Sequence, residues 1–291
     1  MNQFKTVALL SILSALLITA SYYIVGGTTG AIVGIGFAAL MNLGSWYFSD
    51  QIALAAYRAQ PVSADQAPQL HRIVQRLSDR ANLPMPGVYL VDSPAANAFA
   101  TGRDPQHAAI AVTQGLMQLL PPDELEAVIA HELSHVYNRD TLTQAVAATI
   151  AGAISFLANI ATYSFWLPRN ENDDVHPMAI LLTSMLAPIA ATIVQLGISR
   201  TREFEADAGA ARLTQNPQAM IRALQRLEAS AHQMPMTAAS PAFSALLIVN
   251  PISGESLAKL FATHPSTEAR IDRLQKLEQE MLQGNQPQML A

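Results

Sequence analysis

The chain has no cysteine among its 291 residues. Disulfides are therefore excluded, and with them thiolate zinc sites and a cysteine nucleophile. Any metal must be held by histidine and carboxylates, and there are only seven histidines. Charge is scarce too: 13% of the residues are charged, against roughly 25% in ordinary soluble domains. Hydrophobic residues make up 51%, which points to a membrane. The net charge of -5 and the lack of a basic run argue against a nucleic-acid partner. No internal repeat or low-complexity segment stands out.

The charges are missing in blocks. None lies between Lys5 and Asp50, a stretch that fits two spans of about 20 residues each. Gly26-Gly27-Thr28-Thr29-Gly30 separates them, and Tyr22, Tyr23 and Trp46-Tyr47-Phe48 lie where interfacial aromatics belong. The length of the run, the absence of an A-x-A-like site and the second span argue against a cleaved signal peptide. Residues 141–168 and 175–199 are also uncharged, and the acidic loop 169–174 divides them. They read as a second membrane hairpin, the alternative being two long buried helices. Lys5, Arg58, Arg139, Arg200 and Arg202 flank the runs on one side. The positive-inside rule then puts the N-terminus and both soluble stretches in the cytoplasm.

This divides the chain into an N-terminal transmembrane hairpin (1–49), a first soluble half (50–140), a second hairpin (141–199) and a second soluble half (200–291). In the first half, Leu70, Ile73, Val74 and Leu77 predict a helix over 69–81. Strands are expected at 88–91, 97–102 and 108–112, with a hairpin turn at 102–106. Pro121-Pro122-Asp123 opens a helix, its acidic residues at the positive end. In the second half, 218–231 reads as a helix and 232–255 as a loop. Thr263-His264-Pro265 opens a last helix, with Ile271, Leu274, Leu277 and Met281 at helical spacing.

The helix that opens at Pro121 carries His131-Glu132-Leu133-Ser134-His135. Imidazoles four apart on a helix differ by about 40° of rotation and about 6 Å of rise, so they face one way. Two such rings can grip one zinc ion, and the Glu beside them is placed to take a proton from a water on the metal. A catalytic zinc needs a third protein ligand, here necessarily His, Asp or Glu. Glu203, Glu205 and Asp207 follow the second hairpin. Glu203 and Asp207 share a face with the small Ala206 and Ala210, so Glu203 is the better ligand. Asp207 then accepts the outer ring N–H of a ligating histidine. The alternative is a solvated acidic face balanced by Arg200 and Arg202. Because 141–199 begins a few residues after His135 and ends a few before Glu203, both zinc-binding helices are expected to continue membrane helices. The site would then stand just above the cytoplasmic face.

H-E-x-x-H, then Glu203-Phe204-Glu205-Ala206-Asp207 after a membrane hairpin, resembles the M48 family of zinc metallopeptidases. The segments Asn97 to Gly102 and Thr263 to Ile271 extend the likeness over nearly the whole length. The resemblance implies an α-helical integral membrane protein with four transmembrane helices in two hairpins and an α+β zincin-like catalytic domain. It implies one zinc per chain on His131, His135 and Glu203, with Glu132 as general base. Asp207 and Arg270 stand around the ligands, and His264 and Arg270 reach the scissile carbonyl or the open metal position. It also implies that Asn97, Ala98, Phe99 and Ala100 form an edge strand that pairs with the substrate backbone. The activity implied is an endopeptidase in quality control and stress response at a bacterial cytoplasmic membrane, with membrane-protein substrates. Self-association into a homo-oligomer is left open. The other readings are a membrane scaffold or holdase with a structural metal, and a prenyl-peptide protease of the same family.

Overall fold

The computed structural model describes residues 2–22, 26–147, 150, 200–233 and 265–283. Helices α1 (Asn2–Ser21) and α2 (Gly27–Tyr47) pack against each other as an N-terminal helical hairpin. Small residues let the two helices close up. A Cβ on Gly30 would collide with the Ser21 carbonyl, and one on Gly34 would meet Ile18 Cα at 2.8 Å. Ala38 continues this buried stripe, and Asn42 then donates from Nδ2 to Ser14 Oγ at 2.8 Å. Small residues spaced by four, with an interhelical polar contact, are how helices associate in lipid. Ile32, Val33, Ile35, Phe37, Leu40 and Leu43 stay exposed on the outer surface of α2. Among the described residues, α2 is the one helix long and apolar enough to cross a membrane; α1 carries a shorter apolar run, Leu10–Thr19. The expected second hairpin lies outside the described residues, apart from a helical run over 140–147 and residue 150.

After α3 (Ser49–Ala56) the chain enters a four-stranded sheet. Its strands are β1 (Gln60–Pro61), β2 (Gly87–Val91), β3 (Ala98–Gly102) and β4 (Ala108–Thr113). The order is β1-β2-β4-β3, with β2 and β4 parallel and the other pairs antiparallel. The expected turn joins β3 to β4, closed where Asp104 accepts the N–H of His107. Between β2 and β4 lies one parallel pairing that hairpin signals do not reveal.

The period-two alternation of side chains assigns the faces. Val88, Ala98, Ala100, Ile110 and Val112 join the main core with α4 (Pro68–Ala81) and, beyond the short α5 (Gln114–Leu119), α6 (Pro122–Tyr137). Val91, Phe99, Ala109 and Ala111 face the other way, onto Ala53, Leu54 and Tyr57 at the end of α3. Helices α7 (Arg200–Thr214), α8 (Pro217–Gln233) and α9 (Thr267–Leu282) complete the assembly. Their Ala210, Leu224 and Leu274 belong to the same buried cluster as Leu70 and Leu133. The described parts of 50–140 and 200–291 therefore share one core. The acidic first turn of α6 also fastens α8 to it, since buried Glu124 is held by Arg222 at 3.3 Å and Arg226 at 2.8 Å.

Two expectations change. First, α6 is not continuous with the helix that follows it. It ends at Tyr137, Arg139 takes a left-handed φ of 57°, and helix resumes at Asp140. Second, Arg202 is no flanking surface charge. It is buried and paired with Asp140 at 3.3 Å.

Candidate metal centre

Helix α6 runs through the core, so both of its histidines are buried. Helix α7 packs across it. The approach is close because Ala206, Gly209 and Ala210 face it, and a Cβ on Gly209 would collide with Ser134 Oγ. That crossing brings Glu203 to the histidines. Glu203 Oε2 lies 3.8 Å from His131 Nε2, and Oε1 lies 3.6 Å from His135 Nε2. One ligand atom from each of the three falls within 4.8 Å of the others. The two Glu203–histidine separations exceed hydrogen-bond length. They approach the edge of about 3.4 Å of a tetrahedron with bonds of about 2.0–2.1 Å, the zinc value. Two imidazole nitrogens and a carboxylate oxygen are also the donor set such a cation takes. The residues fit a divalent metal ion.

The outer ring nitrogens are anchored. His131 Nδ1 lies 3.0 Å from Asp207 Oδ1. Asp207 is in turn gripped by Arg270 of α9, Nε to Oδ2 at 2.8 Å and Nη2 to Oδ1 at 2.6 Å. His135 Nδ1 lies 3.2 Å from Asp140 Oδ2, and Arg202 reaches the other oxygen of Asp140. With Nδ1 donating to a carboxylate, each ring in its neutral form carries its lone pair on Nε2, the nitrogen on the Glu203 side where a cation would bind. Arg270, expected near the scissile carbonyl or the open metal position, commits its fork to Asp207, with Nη2 3.4 Å from His131 Nδ1. Sequence spacing does not single out Asp140. Its only signal is a carboxylate just before an uncharged run.

Burial dominates the acidities. Glu132 is raised above the usual carboxylate range by desolvation, against which His131 and His135 pull it down. It accepts a hydrogen bond from the backbone N–H of Ala100 in β3. Desolvation would also raise Asp207, but Arg270 and His131 outweigh it and hold the group low. For His135, desolvation disfavours the charged ring, yet Asp140, Glu203 and Glu132 outweigh it and lift the pKa to about 9.

The remaining site residues fall as follows. β3 is an outer strand, paired with β4 on one side. Asn97 immediately precedes it and accepts the Ala98 N–H on its own Oδ1. Ala98 and Ala100 face the main core, while Phe99 packs on Tyr57 with tilted rings whose centroids are 4.7 Å apart. Glu205 is exposed, and His107 pairs with Asp104 in the turn. His264 and most of the 232–255 loop lie outside the described residues.

Comparison with known proteins is consistent with this geometry. The sequence model of the family described as Peptidase family M48 matches residues 63–278. A Protease HtpX homolog of Trichormus variabilis is 65% identical over 284 residues, covering 96% of this chain and 98% of that one. The Protease HtpX homolog of Syntrophobacter fumaroxidans is 49% identical over 281 residues, covering 95% and 99%. That of Pyrococcus furiosus is 46% identical over 279 residues, covering 95% and 96%. The crystal structure of S. mikatae Ste24p superposes with a TM-score of 0.48 at 20% identity, over 91% of this chain and 65% of that one. Family match and near-full-length relatives agree with a buried His-His-Glu centre beside a Glu: the chain belongs to peptidase family M48 and is a metalloprotease.

Proposed function

We propose that this metalloprotease is a zinc endopeptidase of a bacterial cytoplasmic membrane that cleaves misfolded or damaged membrane proteins near the cytoplasmic face. The observation that carries it is the meeting of His131, His135 and Glu203 with Glu132 buried beside them. Zinc held there would polarise a peptide carbonyl and acidify a water. Glu132 accepts the proton of that water on its carboxylate and returns it to the leaving amine. Burial raises its proton affinity above that of an ordinary carboxylate, which suits a group that must take a proton. The outer edge of β3 receives an extended stretch of substrate by backbone pairing, which reads shape rather than sequence and gives broad specificity. Its Asn97 to Ala100 segment carries that pairing, with Asn97 Oδ1 and Glu132 giving up the Ala98 and Ala100 N–H groups to the substrate. His264 lies in the chain just before α9 and contributes to stabilising the oxyanion.

Four membrane helices in two hairpins hold this domain at the bilayer. The exposed apolar surface of α2 and the uncharged runs 141–168 and 175–199 support that reading. The decisive experiment compares purified wild type with Glu132→Gln on an unfolded substrate. Both should retain one zinc per chain, and turnover should fall by about 10²–10⁴-fold or more. Undiminished turnover would sink the scheme.

A further inference from the structure

We propose that Asp140, braced by Arg202, is the positioning residue for His135, and that this pair ties the metal site to both ends of the 141–199 stretch. The inference rests on the proposed zinc site and adds to it a residue that H-E-x-x-H spacing does not contain. Asp140 follows His135 by five residues. On a continuous helix, such residues point about 140° apart and could not meet. The break after Tyr137 removes that obstacle. Asn138 and Arg139 close α6 onto Ser134 O and Val136 O, and Arg139 turns the chain through its left-handed conformation. Asp140 then points back, Oδ2 3.2 Å from His135 Nδ1 and Oδ1 3.3 Å from Arg202 Nη1.

Burial argues that this contact has a use. Asp140 is fully buried and Arg202 nearly so. Burying a carboxylate and a guanidinium costs several kcal/mol of desolvation, by order of magnitude, and does not by itself make a fold more stable. The partner histidine shows what such a buried pair can support. His131, Asp207 and Arg270 repeat the same sequence of ring, carboxylate and guanidinium on the other side of the centre. In each relay the carboxylate fixes the proton on Nδ1, so Nε2 offers its lone pair to the cation.

The second relay has a topological consequence that the first lacks. Asp140 immediately precedes the uncharged stretch, and Arg202 lies three residues beyond it. The neighbour Thr141 adds a bond from Oγ1 to Gly102 O, 2.8 Å, at the end of β3. One short segment thus joins the helix that carries Glu203, the second histidine and the outer strand.

The test uses the full-length protein in detergent, stripped of metal. Zinc affinity is read by chelator competition and ligand geometry from the Co(II) absorption spectrum. Asp140→Asn, which keeps the shape and loses the charge, should bind zinc about 10–100-fold more weakly with an altered Co(II) spectrum. Asp140→Ala combined with Arg202→Met leaves neither charge unpaired, so it should fold and show the same loss. Arg222→Met loosens the α6–α8 clamp instead, and should lower the melting temperature while leaving the Co(II) spectrum unchanged. Two results overturn the inference alone: either Asp140 variant holding zinc within about threefold of wild type, or Arg222→Met reproducing the loss and the spectral change. Wild type that takes up no zinc overturns the metal site and this inference with it.

Discussion

Gly209→Ala tests how the site is assembled, because it adds one methyl group at a residue that is not itself a ligand. The new Cβ would overlap Ser134 Oγ and lie 2.9 Å from Ser134 Cβ. Carbon atoms in good contact are about 3.5–4.0 Å apart, so α7 must retreat from α6 by roughly 0.6–1 Å. Ser134 cannot easily turn away: it is buried, and its Oγ donates to Ala130 O at 2.8 Å. Overpacking of this kind costs about 1–3 kcal/mol of stability. The larger effect falls on the metal, because Glu203 rides on the same helix and a metal site tolerates only about 0.2 Å in ligand distance. Zinc affinity should fall by at least about tenfold, the scale of a 1.4 kcal/mol loss. Chelator competition and thermal melting measure both quantities. Ser134→Gly removes the obstructing atoms and should restore zinc affinity in the double variant, while a glycine inside α6 keeps stability about 1 kcal/mol lower. A Gly209→Ala protein with unchanged zinc affinity and melting temperature would refute the argument that helix approach sets the ligand geometry.

Zinc uptake should depend on pH with a definite sign. The His135 pKa of about 9 means the metal-free ring is protonated at neutral pH, and only the neutral ring ligates. Binding at pH 7 should therefore release about one proton, and affinity should rise about tenfold per pH unit until it levels near pH 9; calorimetry in buffers of different ionisation enthalpy reads the proton, and none released refutes the sign. Arg270→Met leaves Asp207 as a buried, uncompensated charge beside His131; about 3–5 kcal/mol of stability should go, and chemical denaturation showing under 1 kcal/mol would contradict the pairing. If the site works at the bilayer, the reconstituted enzyme should cleave a membrane-tethered unfolded substrate faster than the same substrate in solution, and equal rates would remove that meaning from the membrane helices.

The chemistry is legible where spacing and geometry coincide within one helix. His131 and His135 share a face of α6, and Glu203 and Asp207 share a face of α7, because four residues nearly complete a turn. The hairpin β3–β4 is legible from its turn, whereas the parallel β2–β4 pairing joins segments separated by a third strand. Arg202 escapes a reading of the sequence because a cation beside an apolar run has two outcomes, a headgroup or a buried carboxylate, and local sequence does not distinguish them. Arg270 is recognisable, but the carboxylate it grips lies 63 residues away.

By itself, then, the sequence determined which donors exist and which of them share a helical face. It also determined that no thiolate could replace them and where charge is absent enough for a bilayer. These follow from composition and from the fixed rotation per residue of a helix. The tertiary structure alone decided how closely α7 crosses α6, that Asp140 turns back onto His135, and which guanidinium braces which carboxylate. Those depend on a missing Cβ at Gly209, a left-handed residue at Arg139 and the packing of one core from both ends of the chain. Contacts of that kind are set by distances between elements, and no periodicity along the chain encodes them.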